Sequence, residues 1–168
     1  MEKKYILTEE AKEVGGHILH KIQAVRDFGD VQKGDLGGWI ESEKNLSHDG
    51  NCWISGDSEV YGNGKLSGDG SIYGDEIISG RVFGNAKIGF NAYISSPRSY
   101  FVQGPIGSRN DFLTCYLDKD KKIYAVTGCF SGTLEEFEKK VKETHGSNKH
   151  AKQYLKAAEA ARVMLSED

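Results

Sequence analysis

Proline is nearly missing from this chain, with two residues in 168 against 21 glycines. Collagen-like and proline-stiffened compositions are thereby excluded, and the glycines are spaced regularly among aliphatic residues instead. No apolar run approaches the roughly 18 residues of a membrane-crossing helix, so no transmembrane helix and no membrane partner are predicted. The start, Met1-Glu2-Lys3-Lys4-Tyr5, has no apolar signal-peptide core, which gives the expectation of a cytoplasmic protein. Cysteine occurs three times, at Cys52, Cys115 and Cys129, without CxxC spacing. Neither a disulfide framework nor a zinc site fits, and buried free thiols are expected. Charge of one sign is also lacking. Residues 1–49 carry 7 basic and 10 acidic side chains, residues 50–96 carry 3 and 5, and residues 97–168 carry 12 and 10. No segment is basic enough to track a nucleic-acid backbone, so small molecules or partners of moderate charge fit better.

What is there is a repeat. From Gly56 the chain divides into GDSEVY, GNGKLS, GDGSIY, GDEIIS, a truncated GRVF, GNAKIG and FNAYIS. Glycines fall at 50, 56, 62, 68, 74 and 80; aliphatics fall at Ile54, Val60, Leu66, Ile72 and Ile78, then resume at Ile88 and Ile94. A small residue sits two positions after most glycines: Ser58, Gly64, Gly70, Ala86 and Ala92, with Glu76 the exception. One inward aliphatic per six residues suits a narrow stack of short strands with glycine, aspartate and asparagine at the corners. A helix would space its apolar residues by three and four, and a hairpin sheet would alternate by two. The predicted fold is mainly β: a short left-handed parallel β-helix over 50–96, capped by residues 1–49, with an α+β unit over 97–168. Three hexads per coil would stack Ile54 on Ile72. Two hexads per coil would stack Ile54 on Leu66 and put Tyr61 and Tyr73 in one ladder. The three-hexad form is favoured and the other stays open. About two and a half coils are too short to stand alone, since repeat arrays need capped ends. Self-association as a homo-oligomer, with a trimer favoured, is therefore expected.

Upstream, 17–25 reads as a strand, with Ile18, His20, Ile22 and Ala24 on one face. Trp39 and Trp53 are expected to form an aromatic lid over the open end of the stack, with a tryptophan-lined ligand site as the alternative. Downstream, 100–102, 112–117 and 123–127 read as strands, the last two joined by the polar turn 118–121. Thr133-Leu134-Glu135-Glu136 is a capping box that opens a helix ending at Gly146. A second helix begins at Ser147, with Tyr154, Leu155, Ala158, Ala161 and Leu165 on its buried side. The two pieces are expected to meet near Pro97.

With these segments placed, the sequence resembles hexapeptide-repeat, transferase-like proteins of phages and prophages. The motifs are IQAVRDFGDVQKGDLGGWIESEKNLSHDGNCWI at 22–54, the glycine repeat, IGSRND at 106–111, GCFSGTLEEFEKKV at 128–141 and HG at 145–146. The resemblance implies a β-helix with an appended α+β domain and a viral context. Its transferase label rests on fold, which does not settle activity.

For chemistry, the repeat contains no histidine to act as the base of an acyltransferase. His48 lies just before it, and His17 and His20 lie in the first strand. No catalytic residue, metal ligand or cofactor is assigned. The predicted binding site is for a small anion: Ser108, Arg109 and Asn110 beside Gly132 and Thr133 at a helix N-terminus, where free N–H groups and the helix dipole favour negative charge. Arg109 suits bidentate phosphate contact. The competing reading is that Thr133 merely caps its helix. Trp39, Trp53, Tyr61, Tyr73 and His145 are secondary candidates. The leading expectation is a non-catalytic phage-type accessory protein that sequesters a phosphate-bearing, nucleotide-like host defence signal in the host cytosol. The alternatives are a module that binds a host protein, and a hexapeptide acyltransferase.

Overall fold

The six-residue rhythm of the sequence becomes a rhythm of strand pairing. The computed structural model describes residues 2–73, 77–78, 81–82, 84–89, 92–96 and 98–166, the side chains of 77, 78, 81 and 82 excepted. Gly74, Gly80, Glu76, Pro97 and the packing of Ile78 lie outside the described residues. The chain divides into two units, Met1–Asn91 and Ala92–Asp168.

The first unit begins with an antiparallel hairpin, β1 (Tyr5–Val14) and β2 (His17–Ala24). Leu19, Ile22 and Ala24 are buried while Ile18 is 60% exposed. The inward face expected from simple alternation therefore fails at its first residue. β2 pairs on its other side with β3 (Leu36–Ile40), with a register shift between Lys21 and Gln23. Short parallel strands follow: β4 (Trp53–Ile54), β5 (Glu59–Val60), β6 (Lys65–Leu66), β7 (Ser71–Tyr73), β8 (Ile77–Ile78), β9 (Arg81–Val82) and β10 (Lys87–Gly89).

They fall into three parallel ladders. One runs β3, β5, β8; the second β4, β7, β10; the third pairs β6 with β9 and bridges Leu46 to Leu66. Ile54 is paired with Ile72, three hexads on, while Leu66 belongs to a different ladder. Val60 pairs with Ile78 at the same spacing of eighteen. Across the truncated hexad, Leu66 pairs with Val82 and Ile72 with Ile88, sixteen residues on. The strands that follow keep their ladders although the spacing is two residues shorter. Ile54, Val60, Leu66, Ile72, Ile88 and Ile94 are fully buried, as are Ser58 and Ala86 in the small slot. Each buried aliphatic contributes about 1.5–3 kcal/mol. Cys52, two positions after Gly50, is a fully buried member of that small series.

The ladders also begin earlier than the glycine spacing suggests. Ile40 pairs with Val60 and Leu46 with Leu66, twenty residues on, and both Ile40 and Leu46 are fully buried. Residues 36–46 are thus paired into the ladders, rather than only capping them. Asn45 supports this pairing, its amide donating to the Gly64 carbonyl at 2.7 Å. The turns stack as closely as the strands: a side chain at Gly50 (φ 67°) would run into the Gly68 carbonyl, which accepts from Cys52 N–H at 3.0 Å.

The second unit carries β11 (Tyr93–Ile94) and an antiparallel meander. Its strands are β12 (Tyr100–Ile106), β13 (Asp111–Leu117), β14 (Ile123–Thr127) and β15 (Phe130–Thr133), paired in that order. Helices α1 (Leu134–His145) and α2 (Lys149–Leu165) pack on the meander, with Leu113, Cys115 and Ala125 of the sheet against Phe137, Ala158 and Leu165. Asn148 caps α2, so that helix starts two residues later than expected. Its buried side includes Ala151 and Ala157, while Leu155 is only partly buried.

Candidate functional site

Two places in the molecule gather chemistry, one in each unit. In the second unit, the β12–β13 turn, the β14–β15 turn and one flank of α1 surround a cavity of about 360 Å³. Ser108 and Arg109 line it, and so does His145, which the sequence offered only as a secondary candidate. Lys140, absent from the sequence-based set, lines it too, above a floor of Phe130, Phe137 and Tyr154. The rings form one cluster: Phe130 to Phe137 at 5.4 Å, Phe137 to Tyr154 at 5.6 Å edge-on, and His145 to Tyr154 at 5.8 Å.

The turns are held rigidly. Asp111 accepts the Phe112 and Gly128 N–H groups at 2.8 and 3.0 Å. Gly128 (φ 54°) presents bare backbone under the Arg109 guanidinium, Nη1 standing 3.6 Å from where a Cβ would be. A side chain at Gly107 (φ 74°) would strike the Tyr154 hydroxyl. Burial raises the Tyr154 phenol above its ordinary value, with the Asp111 charge adding to it; a hydrogen bond with Thr127 and the Arg109 charge oppose the shift.

The other half of the expected anion site lies elsewhere. Gly132 and Thr133 do not line the cavity. Thr133 Oγ1 accepts the Glu136 N–H at 3.2 Å, and the Glu136 carboxylate accepts the Thr133 N–H at 2.8 Å. The N-terminal turn of α1 is thereby filled by its own carboxylate, whose pKa is lowered first by that backbone hydrogen bond. A second anion there would meet like charge. Asn110 is an exposed turn residue at φ 51°, outside the cavity lining.

Of the aromatic candidates of the first unit, Trp39, Trp53 and Tyr73 are packed against neighbours. Trp39 is buried under the ammonium groups of Lys12 and Lys21, 4.5 and 4.7 Å from its ring, and its indole N–H donates to Asp57. Trp53 is buried against Phe28 and Tyr5. Tyr73 lies over Gly89, where any side chain would collide with its ring.

Tyr61 leads to the second chemical cluster. Its ring sits 4.8 Å from that of His17, and His17 Nδ1 meets Glu41 Oε1 at 3.0 Å. Glu41 Oε2 accepts the Gly62 N–H at 2.7 Å. The carboxylate is held at both oxygens, and its pKa is lowered first by His17 and then by Gly62. A carboxylate at Nδ1 places the proton of neutral His17 there and leaves the Nε2 lone pair available. Both side chains are 36% exposed. His48, by contrast, is committed to packing: it stacks on Tyr5 at 4.3 Å, and its Nδ1 accepts the Lys4 N–H at 3.3 Å.

Among the described residues no group of three or more His, Cys, Asp or Glu could hold a metal, and no helix is long and apolar enough to cross a membrane. No protein-family model matches the chain. A stretch of 37 residues, 22% of the chain, is 51% identical to part of the protein named uncharacterized acetyltransferase YdcK of Escherichia coli (strain K12), and it spans only 11% of that protein's length.

Proposed function

We propose that the chain is an acyl-transfer protein built on a short left-handed parallel β-helix, with His17 as its general base. The ladder spacing of eighteen residues supports the coil, since three hexads then complete one turn. The local similarity to a protein named as an acetyltransferase supports the reaction class.

The observation that carries the reading is the His17–Glu41 pair. Glu41, fixed by the Gly62 N–H, orients the imidazole and stabilises the imidazolium that forms when Nε2 takes a proton. The acceptor is a hydroxyl or amine of a small molecule. As His17 removes its proton, the acceptor heteroatom attacks the carbonyl carbon of an activated acyl donor of the thioester class. The carbon–sulfur bond breaks, and the imidazolium returns the proton to the departing thiolate. Tyr61 supplies a flat face beside the base.

The test uses the full chain and 4-nitrophenyl acetate as an activated acyl probe. His17→Gln should slow nitrophenolate release at least about a hundredfold, the lower edge of general-base effects. Glu41→Gln should slow it too and move the pH profile of the remaining rate, while His20→Gln should leave it intact. Release by His17→Gln at the wild-type rate, in a protein with the wild-type unfolding midpoint, overturns the reading.

A further inference from the structure

We infer that the second unit carries a separate binding site, in the cavity between Arg109 and α1, for a small molecule with a planar apolar body and a single phosphate group. Three features of the cavity select that chemistry. Its floor is aromatic, with Phe130, Phe137 and Tyr154 in edge-on and tilted contact, a surface that suits a flat ring rather than a sugar or peptide. Its size, about 360 Å³, is at the small end of ligand pockets and fits a nucleoside monophosphate or a body of that bulk. Its lining carries the Arg109 and Lys140 cations against the one carboxylate of Asp111.

The carboxylate does not cancel both cations. Asp111 has each oxygen engaged by a backbone N–H, of Phe112 and of Gly128, so it serves to lock the turn on which Arg109 stands. Lys140 is 4.0 Å from the exposed Glu143, the outer limit of an ion pair and weak in water. A phosphate placed between Arg109 and Lys140 therefore gains a bidentate donor and a point charge. The ring it carries then lies toward Phe130, with His145 as a further wall. Nothing in this arrangement requires conversion of the guest: the site holds it.

The cavity and the His17–Glu41 pair share no residue, so each can fail without the other. The experiment is titration calorimetry on the full chain with 1-naphthyl phosphate and AMP, and with 1-naphthol and inorganic phosphate as the separated halves. Both intact probes should bind, and each half should bind at least about tenfold more weakly. Arg109→Gln and Lys140→Gln should each weaken AMP about tenfold, the scale of one charge-assisted hydrogen bond, with unchanged unfolding midpoints. AMP should also slow alkylation of Cys129, an exposed thiol in the cavity lining. Failure of both intact probes to bind overturns the inference. So does inorganic phosphate that binds as tightly as AMP, or an Arg109→Gln variant that binds AMP normally.

Discussion

At the scale of single residues, burial sorts the three cysteines into different chemistry. Cys115 is fully enclosed, and burial pushes its thiol up to about 12. Cys52 is also raised by burial, although the neighbouring Lys4 ammonium, 3.2 Å from its sulfur, pulls the other way. Cys129 is exposed. The folded protein should therefore release one equivalent of thionitrobenzoate quickly from Ellman's reagent and the other two only on denaturation. A Cys129→Ser variant should lose the fast phase. Lys4 is the more unusual neighbour. It is fully buried, and its ammonium donates to the carbonyls of Cys52 and Gly50 at 2.8 and 3.3 Å. Peptide oxygens, held by turn geometry, take the place of a carboxylate partner, and the side chain ties the start of β1 to the turn before β4.

Among the elements, the two helices are joined by Arg162 of α2, whose guanidinium forks onto Glu138 of α1, the second contact at 2.9 Å. That hydrogen bond is the main cause of the lowered Glu138 pKa. A carboxyl lowered on folding contributes stability that is complete above its ordinary value near 4.3 and disappears as pH falls through the lowered one. In Glu138→Gln that proton linkage is gone. Urea midpoints compared at pH 7 and pH 3.5 should thus differ less in Glu138→Gln than in wild type.

The same scale explains what the sequence made legible. The hexads from Gly50 could be read because each repeats a glycine and an aliphatic at fixed offset. The ladder positions of Ile40 and Leu46 could not, because no glycine stands six before Gly50, and Leu46 and Ile54 are eight apart rather than six. The capping box of Thr133 and Glu136 was readable, being local, and that same closure takes Thr133 out of ligand binding. Arg109 was readable from the polar turn around it. Its companion Lys140 was not, and His145 stood only among the secondary candidates, since the packing of α1 against the β14–β15 turn is what brings them to it. The His17–Glu41 pair spans 24 residues and depends on how β2 lies against β3. Histidine counting within the repeat passed over it.

For the whole molecule, the pairing pattern bears on assembly. In the first unit β1 lies at an end of the sheet order β1-β2-β3-β5-β8, and Glu9, Glu10 and Glu13 are exposed along it. Carboxylates on such an edge oppose strand-to-strand growth. For the proposed β-helix, association is therefore expected away from that edge, in a closed three-fold arrangement. Light scattering at micromolar concentration should give three times the chain mass; a monomer removes the expectation. A last consequence lies in the spacing of paired residues, which is sixteen, eighteen or twenty along the chain. Because facing repeats every third hexad, excising or duplicating eighteen residues preserves the address of each side chain that follows. Losing six would hand each downstream aliphatic to the adjacent ladder. In the proposed β-helix, length is thus added in whole turns of three hexads, while the pairing tolerates a spacing two residues short or long.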